Sequence, residues 1–299
     1  MNEASIILVT GAGSGFGYLS AVALGRAGHV VYASMRELDG RSKESAVALR
    51  ELAQQEKLQL HPIELDVCVE SECRAAADLI LSKHSCVDVV INNAAMVMTG
   101  ITEAFRPEQL VEVIDVNAIS WVRVNRAFLP AMRRQGKGLL IYISSGTTYI
   151  PEPFSGPYAA SKAAGDVLAQ AMALENSRYG VESVIVMTGA YTSGTEYFAN
   201  AEGPADTEVV AQYELVSGLE QELAGKFDEV NVPGARTDAI EVADVICSIV
   251  SLTHGTRPTR VEVDPQRRGA LQIAEFAQVH RAAFFRRMGI DDLLSTSTK

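Results

Sequence analysis

The chain has 299 residues and a formal net charge of −11, with 47% hydrophobic and 21% charged residues. This composition is ordinary for a globular protein and excludes a disordered or fibrous chain. The acidic balance and the scattered basic residues argue against nucleic acid or an anionic membrane as the main partner. The length suits one large α/β domain, and we expect residues 1–299 to form a single domain.

The four cysteines and five histidines show neither a C-x-x-C pair nor a metal-binding spacing, so we predict free thiols and no metal site. Free thiols are typical of a reducing compartment. No leader precedes the first apolar run, and no apolar run approaches the roughly 18 residues that a membrane span needs. The sequence therefore predicts a cytoplasmic protein.

Short apolar, β-branched runs alternate with longer amphipathic stretches along the chain. The runs predict strands at 5–10, 29–34, 58–65, 87–92, 138–144, 181–187 and 259–263. The stretches predict helices at 16–27, 43–56, 70–84, 107–135, 157–179 and 239–252. Near-continuous apolar strands separated by helices are typical of a parallel sheet covered on both faces. The predicted fold class is doubly wound α/β, Rossmann-like.

Two later segments depart from this alternation. Residues 190–236 contain no strand pattern and mix acidic, helix-like pieces with Gly and Pro. Segments of this length inside a compact domain are often functional, and we predict a substrate-binding lid. Residues 268–299 begin with an amphipathic pattern that predicts a C-terminal helical extension.

A glycine-rich turn, "TGAGSGFG", follows the first predicted strand and opens the first helix. Glycines let backbone N–H groups approach a pyrophosphate, and the helix N-terminus favours negative charge. The spacing T-G-x-x-x-G-x-G resembles that of the short-chain dehydrogenase/reductase family, although an ordinary strand-to-helix turn is the alternative. The predicted cofactor contacts in this turn are Gly11, Ser14, Gly15, Phe16 and Gly17.

The stretch "YASMRE" ends the second predicted strand, where such folds bind the adenosine ribose. Met35 occupies the place of an acid that would favour NAD, and Arg36 suits the 2′-phosphate of NADP. Arg36 therefore favours NADP(H) over NAD(H), with a solvent-exposed surface arginine as the alternative.

Further cofactor contacts are implied by the family resemblance. "LDV" matches the adenine-contacting position, although a turn aspartate is the alternative there, and "NNAA" resembles the family's N-N-A-G with Ala95 in place of Gly. After the sixth strand Thr188 stands where the family usually has Pro, and one of the residues 191–193 is expected to meet the nicotinamide carboxamide. The contacts so implied are Asp66, Val67, Asn93, Ala94, Tyr191 and Ser193.

The motif "YAASK" places Tyr158 and Lys162 four residues apart, on one face of a predicted helix. A neighbouring ammonium favours the phenolate, so the tyrosine could exchange a proton with a carbonyl or alcohol oxygen. By resemblance to the family, Ser145 polarises the substrate carbonyl, with Ser144 as second choice, and Asn117 holds a relay water. The resemblance also implies that Tyr158 and Lys162 contact the cofactor, the lysine at the nicotinamide ribose. The implied activity is hydride transfer between NADP(H) and a carbonyl or secondary alcohol.

Apolar and aromatic residues near these motifs predict a pocket for a bulky, hydrophobic substrate. The predicted wall comprises Met96, Val97, Met98, Tyr149, Phe154, Tyr191, Tyr197 and Phe198. Branch-level likeness is greatest to the steroid and retinoid enzymes of the family, and the resemblance covers about residues 5–190. The family also implies a homodimer or homotetramer formed through the helices at 107–135 and 157–179.

Two other functions compete with this reading. A non-catalytic dinucleotide sensor on the same fold would be free to lose part of the Asn, Ser, Tyr and Lys set, which is complete here. A sugar-nucleotide epimerase or dehydratase would favour a different glycine spacing and a larger C-terminal substrate domain.

Overall fold

A computed structural model describes residues 4–195 and 199–296. Over these residues seven parallel strands form one sheet in the order β3-β2-β1-β4-β5-β6-β7. Each predicted strand is present, and the predicted doubly wound α/β fold is confirmed. The strands are β1 (Ile6–Val9), β2 (Val30–Met35), β3 (Leu60–Glu64), β4 (Val89–Asn92), β5 (Gly138–Ser145), β6 (Val181–Thr188) and β7 (Arg260–Val263).

The α-helices connect and cover the strands. They are α1 (Gly15–Arg26), α2 (Lys43–Glu56), α3 (Glu70–His84), α4 (Pro107–Ile114), α5 (Ser120–Gln135), α6 (Gly156–Asn176), α7 (Thr207–Val210), α8 (Leu219–Lys226), α9 (Ile240–Ser251) and α10 (Ala270–Met288). The predicted single helix over 107–135 is wrong in one respect, because a π-helical turn at Asp115–Ile119 separates α4 from α5. Single π turns inside longer helices are frequent at functional sites.

The core consists of two main apolar layers, one on each face of the sheet. In β1, Ile7 and Val9 pack on the side of α1, α2 and α9. Ile6 and Leu8 face the opposite side, which is covered by α3, α5 and α6. Because successive side chains of a strand point to opposite faces, a fully apolar strand needs cover on both sides. The apolar runs in the sequence are unbroken because both faces of these strands are buried.

The strand order reverses between β1 and β4, which are neighbours in the sheet although β2 and β3 lie between them in the chain. Open α/β sheets bind ligands in the crevice outside the carboxyl ends of the strands at such a point. The glycine turn after β1 and Asn93 after β4 both lie there. The fold thus brings the two motifs together at one edge of the sheet.

The helices predicted to mediate self-association carry exposed apolar side chains. Val111 on α4, Ile119 in the π turn and Val167 on α6 are 67%, 44% and 64% exposed. The homodimer or homotetramer stays a prediction. Within the described ranges, no helix combines the length and the apolar character that a membrane span requires.

A buried ion pair joins β7 to α6. Arg260 on β7 donates two hydrogen bonds to Asp166 on α6, at 2.7 and 2.5 Å, and their side chains are only 8% and 1% exposed. Ser144, at the end of β5, also lies 3.4 Å from Asp166. The pair anchors the helix that carries Tyr158 and Lys162 to an edge strand of the sheet.

Asp166→Ala should lower the free energy of unfolding by about 3–5 kcal/mol, because Arg260 would keep a buried charge without its partner. Urea denaturation followed by circular dichroism measures this loss. The matched control is Asp244→Ala, which removes the exposed pair with Arg236 and should cost little. Similar losses in the two variants would contradict the anchoring role of Asp166.

Candidate active site

A cavity of about 470 Å³ opens at the carboxyl ends of β4, β5 and β6. Three of the four predicted catalytic residues, Ser145, Tyr158 and Lys162, contribute to its wall. Apolar side chains make up much of the remaining wall and come from both the sheet edge and the segment 190–236. They include Val97, Ile143, Phe154, Leu223, Phe227 and Val230.

Lys162 is almost completely enclosed, with 2% of its surface exposed. Its Nζ donates a hydrogen bond to the backbone carbonyl of Ile143 at 2.9 Å, and it lies 5.5 Å from the ring centroid of Trp121. Burial disfavours the ammonium and lowers the pKa of Lys162 to about 7. The side chain therefore changes charge near neutral pH unless a neighbouring group stabilises the cation.

Tyr158 and Ser145 lie beside this lysine. The Tyr158 ring centroid is 5.8 Å from the Lys162 Nζ, and Tyr158 is 5% exposed. The Ser145 hydroxyl accepts a hydrogen bond from the backbone N–H of Thr147 at 3.2 Å, which leaves its own proton available for a ligand. Both residues line the cavity, and each carries a hydroxyl group.

Asn117, the fourth predicted catalytic residue, is fully buried in the π turn. Its amide exchanges hydrogen bonds with the backbone N–H and carbonyl of Met96, each at 2.8 Å, and donates to Ser161 at 2.8 Å. The side chain thus fixes the loop after β4 against α6. Its predicted part in holding a relay water stays a prediction.

The glycine turn depends on the absence of side chains. Gly11 and Gly15 have φ of 64° and 52°, which other residues rarely adopt. A Cβ on Gly17 would lie 2.3 Å from the carbonyl oxygen of Gly11 and 2.4 Å from Nδ2 of Asn93. The close packing of α1 against the turn therefore requires glycine at this position.

Asn93 ties the turn to the end of β4. Its Nδ2 donates to the carbonyls of Thr10 and Gly11, and the N–H groups of Asn93 and Ala94 donate to the Thr10 hydroxyl. Ala95, which replaces the family's glycine, does not have a positive φ. Alanine is therefore compatible with the backbone here.

The turn has the properties that a pyrophosphate requires. Ser14 precedes α1 in an extended conformation, and its side chain makes no capping hydrogen bond. The backbone N–H groups of Gly13 and Ser14 donate to no acceptor within the described residues. Unpaired N–H groups at a helix N-terminus form an anion site, so the residues present fit the phosphates of a dinucleotide.

Arg36 and Asp66 meet beyond the ends of β2 and β3. An Arg36 Nη1 lies 4.0 Å from Asp66 Oδ2, and the Arg36 side chain is 49% exposed. Asp66 also accepts from the N–H of Cys68 at 2.8 Å, as a turn aspartate does. Val67 is buried in the apolar layer. Arg36 therefore lies half exposed beside Asp66, at the carboxyl ends of the strands.

After β6 the chain turns without the proline that is usual in the family. The Thr188 hydroxyl donates to the carbonyl of Ser144 at 3.0 Å. Gln266 donates to the carbonyl of Ala190 and accepts from its N–H, at 2.9 and 3.0 Å. Side-chain hydrogen bonds from the segment after β7 thus hold this turn.

Tyr191 and Ser193 follow this turn, and both hydroxyls donate hydrogen bonds to other parts of the chain. The Tyr191 hydroxyl donates to Glu241 at 2.9 Å, its ring packs edge-on against Phe16 at 5.6 Å, and Ser193 donates to the carbonyl of Thr237 at 3.2 Å. The Tyr191 ring still borders the cavity. Any contact with the carboxamide would therefore come from the ring or from backbone groups of these residues.

The predicted substrate wall is only partly assembled in the described residues. Phe154 and Val97 line the cavity. Met96 and Met98 pack instead in a small apolar cluster with Phe105 and Val113. Tyr149 packs in an apolar layer with Arg260 over its ring. Two further predicted wall residues, Tyr197 and Phe198, lie outside the described residues.

An ion pair in the cavity wall was missed by the sequence analysis; the wall also contains the charged residues Glu220 and Lys226. Arg268 follows β7 and Glu152 precedes α6, and the two side chains form an ion pair. Burial opposes the charge of Arg268, but Asp264 and Glu152 outweigh it and raise the pKa of the guanidinium. Two arginines, Arg267 and Arg268, follow β7 in the sequence, but this pattern alone does not indicate a contact with Glu152.

The known proteins that this chain resembles include dehydrogenases and reductases. The profile of the short chain dehydrogenase family matches residues 5–203. The chain is 32% identical over 192 residues to a 3-ketodihydrosphingosine reductase from Bacteroides thetaiotaomicron, covering 64% of this chain and 66% of that protein. It is 29% identical over 261 residues to retinol dehydrogenase 8 from Homo sapiens, covering 84% and 78%. The first match spans just under two thirds of that relative.

A solved structure has the same fold. An alcohol dehydrogenase from Thermococcus sibiricus, complexed with 5-hydroxy-NADP, superposes with a TM-score of 0.70 at 23% identity. The superposition covers 89% of this chain and 99% of the other. At this level of identity, the likeness shows the architecture.

Lys162 should make the stability of the protein without cofactor depend on pH. Between pH 7 and the ordinary lysine pKa of about 10.4, the unfolded chain binds a proton that the folded chain has lost, so stability rises with pH. From about pH 6.5 to about pH 8.5, the wild type should gain about 2 kcal/mol of unfolding free energy relative to Lys162→Met. Urea denaturation at both pH values measures this difference, and parallel pH profiles of the two proteins would contradict it.

Proposed function

Because the chain belongs to the short-chain dehydrogenase family, whose members are oxidoreductases that use nicotinamide cofactors, we propose that it interconverts a ketone and a secondary alcohol with NADP(H). The proposal assigns proton exchange to Tyr158 and carbonyl orientation to Ser145. Lys162 has the role of favouring the phenolate form of Tyr158. Asn117 positions the loop after β4.

The observation that carries this proposal is the enclosure of Lys162 directly beside Tyr158. A lysine that is 2% exposed is unusual for a purely structural residue, since burial disfavours its charge. Perturbed groups in a cleft are typical of functional sites. Here the perturbed lysine, a tyrosine and a serine line one cavity at the edge of the sheet where α/β folds bind ligands.

Side chains of this protein account for the proton transfer and for the orientation of the substrate carbonyl. The glycine turn and Arg36 would hold NADP(H), which would supply the hydride for the carbonyl carbon or accept it in the reverse direction. The Ser145 hydroxyl donates to the carbonyl oxygen and limits its position. Tyr158 gives a proton to the same oxygen or takes one from the alcohol. The nearby Lys162 cation stabilises the phenolate that this exchange leaves.

The cofactor would lie along the crevice between β1 and β4. The free N–H groups of the glycine turn suit the phosphates, and Asn93 holds that turn to β4. Arg36, half exposed beside Asp66, is the residue that supports NADP(H) over NAD(H). The named complex of the Thermococcus alcohol dehydrogenase contains an NADP derivative, which agrees with this choice.

We infer a bulky, mainly hydrophobic substrate. The cavity volume of about 470 Å³ lies within the range of small-molecule pockets, and Phe154, Leu223 and Phe227 supply apolar surface. Two relatives are named for a long-chain sphingoid ketone and for retinol, both of them extended apolar molecules. In this proposal the segment 190–236, which includes α7 and α8, covers the substrate.

Tyr158→Phe should lower turnover by about 100- to 10,000-fold, because the phenyl ring cannot exchange a proton. Cofactor affinity should change little, since only the hydroxyl is removed. The rate of ketone reduction measures turnover, and titration followed by NADPH fluorescence measures cofactor affinity. Tyr179→Phe removes a hydroxyl from a half-exposed ring in the short turn after α6 and is the matched control. Retention of more than a few per cent of turnover in Tyr158→Phe would remove this mechanism.

Arg36→Ala should weaken NADPH binding at least about tenfold and leave NADH binding nearly unchanged, because only NADPH carries the 2′-phosphate. Titration of nicotinamide fluorescence gives both dissociation constants without turnover. Arg50→Ala on the exposed side of α2 removes the same charge away from the crevice and should leave both constants unaltered. An equal effect on the two cofactors would show that Arg36 is only a surface arginine.

A further inference from the structure

Glu152 and Arg268 form a charged pair in the cavity wall. Arg268 Nη2 lies 3.4 Å from the carbonyl of Thr188. A Cβ on Gly146 would lie 2.9 Å from the same nitrogen. Since Gly146 directly follows Ser145, the ion pair lies next to the residue that orients the carbonyl.

Arg268 is held in place from behind by Asp264. The Asp264 carboxylate accepts from the Arg268 backbone N–H and from Nε, at 3.2 and 3.1 Å, and its side chain is 1% exposed. Arg268 in turn donates through Nη1 to Oε1 of Glu152. The order Asp264, Arg268, Glu152 therefore runs from the buried interior to the cavity.

Glu152 is positioned by a tight turn of its own loop. Its backbone carbonyl accepts from the hydroxyl of Ser155 at 2.7 Å. Phe154 in the same turn has a φ of 65°, a conformation that is unfavourable for a bulky residue. The carbonyl of Phe154 accepts from the N–H of Gly100 at 2.8 Å, which attaches the turn to the segment after β4. Strained, anchored turns of this kind cluster at ligand sites.

The cluster retains an acceptor for a ligand. Oε2 of Glu152 accepts no hydrogen bond from any residue in the described ranges, and the Glu152 side chain is 25% exposed and lines the cavity. The cluster contains two carboxylates and one guanidinium, so its formal charge is negative. A second anion placed here would be repelled, whereas a hydroxyl or an ammonium would find a charged acceptor.

We propose that Glu152, fixed by Arg268, selects substrates that carry a hydrogen-bond donor, a hydroxyl or an ammonium group, on a carbon close to the reacting carbonyl. This inference rests on the proposed ketone reduction and adds the substrate class that it leaves open. The apolar body of the substrate occupies the wall formed by Phe154, Leu223 and Phe227. Glu152 is thus a specificity-determining residue, and the proton chemistry stays with Tyr158.

The test compares four ketones of equal chain length. One is a twelve-carbon methyl ketone, and the others carry a hydroxyl, an ammonium or a carboxylate on the carbon next to the carbonyl. Dissociation constants are measured by NADPH fluorescence with Tyr158→Phe, which separates binding from turnover. The hydroxyl and ammonium ketones should bind at least about tenfold more tightly than the parent ketone, and the carboxylate should bind most weakly.

A second substitution assigns the preference to Glu152. In the Tyr158→Phe background, Glu152→Gln keeps an oxygen for Arg268 but presents amide N–H groups to the cavity. The tenfold preference should therefore fall to less than about threefold. Glu220→Gln removes a carboxylate from another part of the same cavity wall and should retain the preference. Unfolding midpoints equal to that of the parent variant exclude a folding defect.

The outcomes separate the two proposals. Equal affinity for all four ketones, tightest binding of the carboxylate, or an unchanged preference in Glu152→Gln would overturn the role of Glu152. If Tyr158→Phe shows the preference but the wild-type protein reduces none of the ketones, the substrate class stands and the proposed reaction fails.

Discussion

The candidate site depends on one enclosed lysine. Lys162 is 2% exposed and donates to the carbonyl of Ile143, so α6 is held at one position above β5. Burial lowers its pKa to about 7, and the cost of enclosing the charge must be met by the surrounding fold. The ion pair between Asp166 and Arg260, one helical turn further along α6, fixes the same helix to β7. Tyr158 and Ser145 reach the cavity in register because α6 and β5 are held in this way.

Much of the fold could be predicted because its strands are buried on both faces. An unbroken apolar run such as "SIILVT" is typical of a strand in a doubly covered sheet, and each run of this kind forms a strand here. The interruption of the helix over 107–135 could not be predicted from its periodicity. The π turn that interrupts this helix contains Asn117, whose side chain forms two hydrogen bonds with the backbone of Met96. These two residues belong to segments that are separated in the sequence.

In the candidate site, too, local motifs could be predicted from the sequence, whereas contacts between distant segments could not. Tyr158 and Lys162 were identified from a four-residue spacing that matches one helix face, and Ser145 from its resemblance to the family's serine. All three line one cavity. Tyr149 was assigned to the pocket because of its position in the sequence, whereas its ring packs beneath Arg260. Arg268 was missed because nothing in its local sequence shows that the chain after β7 returns to the end of β5. Contacts of this kind depend on tertiary packing, which a motif does not encode.

The central claim is that this cavity reduces a ketone with NADPH, and the direct measurement is the absorbance of the reduced nicotinamide. Purified protein is mixed with NADPH, or separately with NADH, and with a panel of small, aromatic and long-chain apolar ketones. The account predicts oxidation of NADPH in the presence of a bulky apolar ketone, at a higher rate than with NADH. Absence of oxidation with every ketone, although NADPH binds tightly, would contradict the account and indicate a dinucleotide-binding protein without this activity.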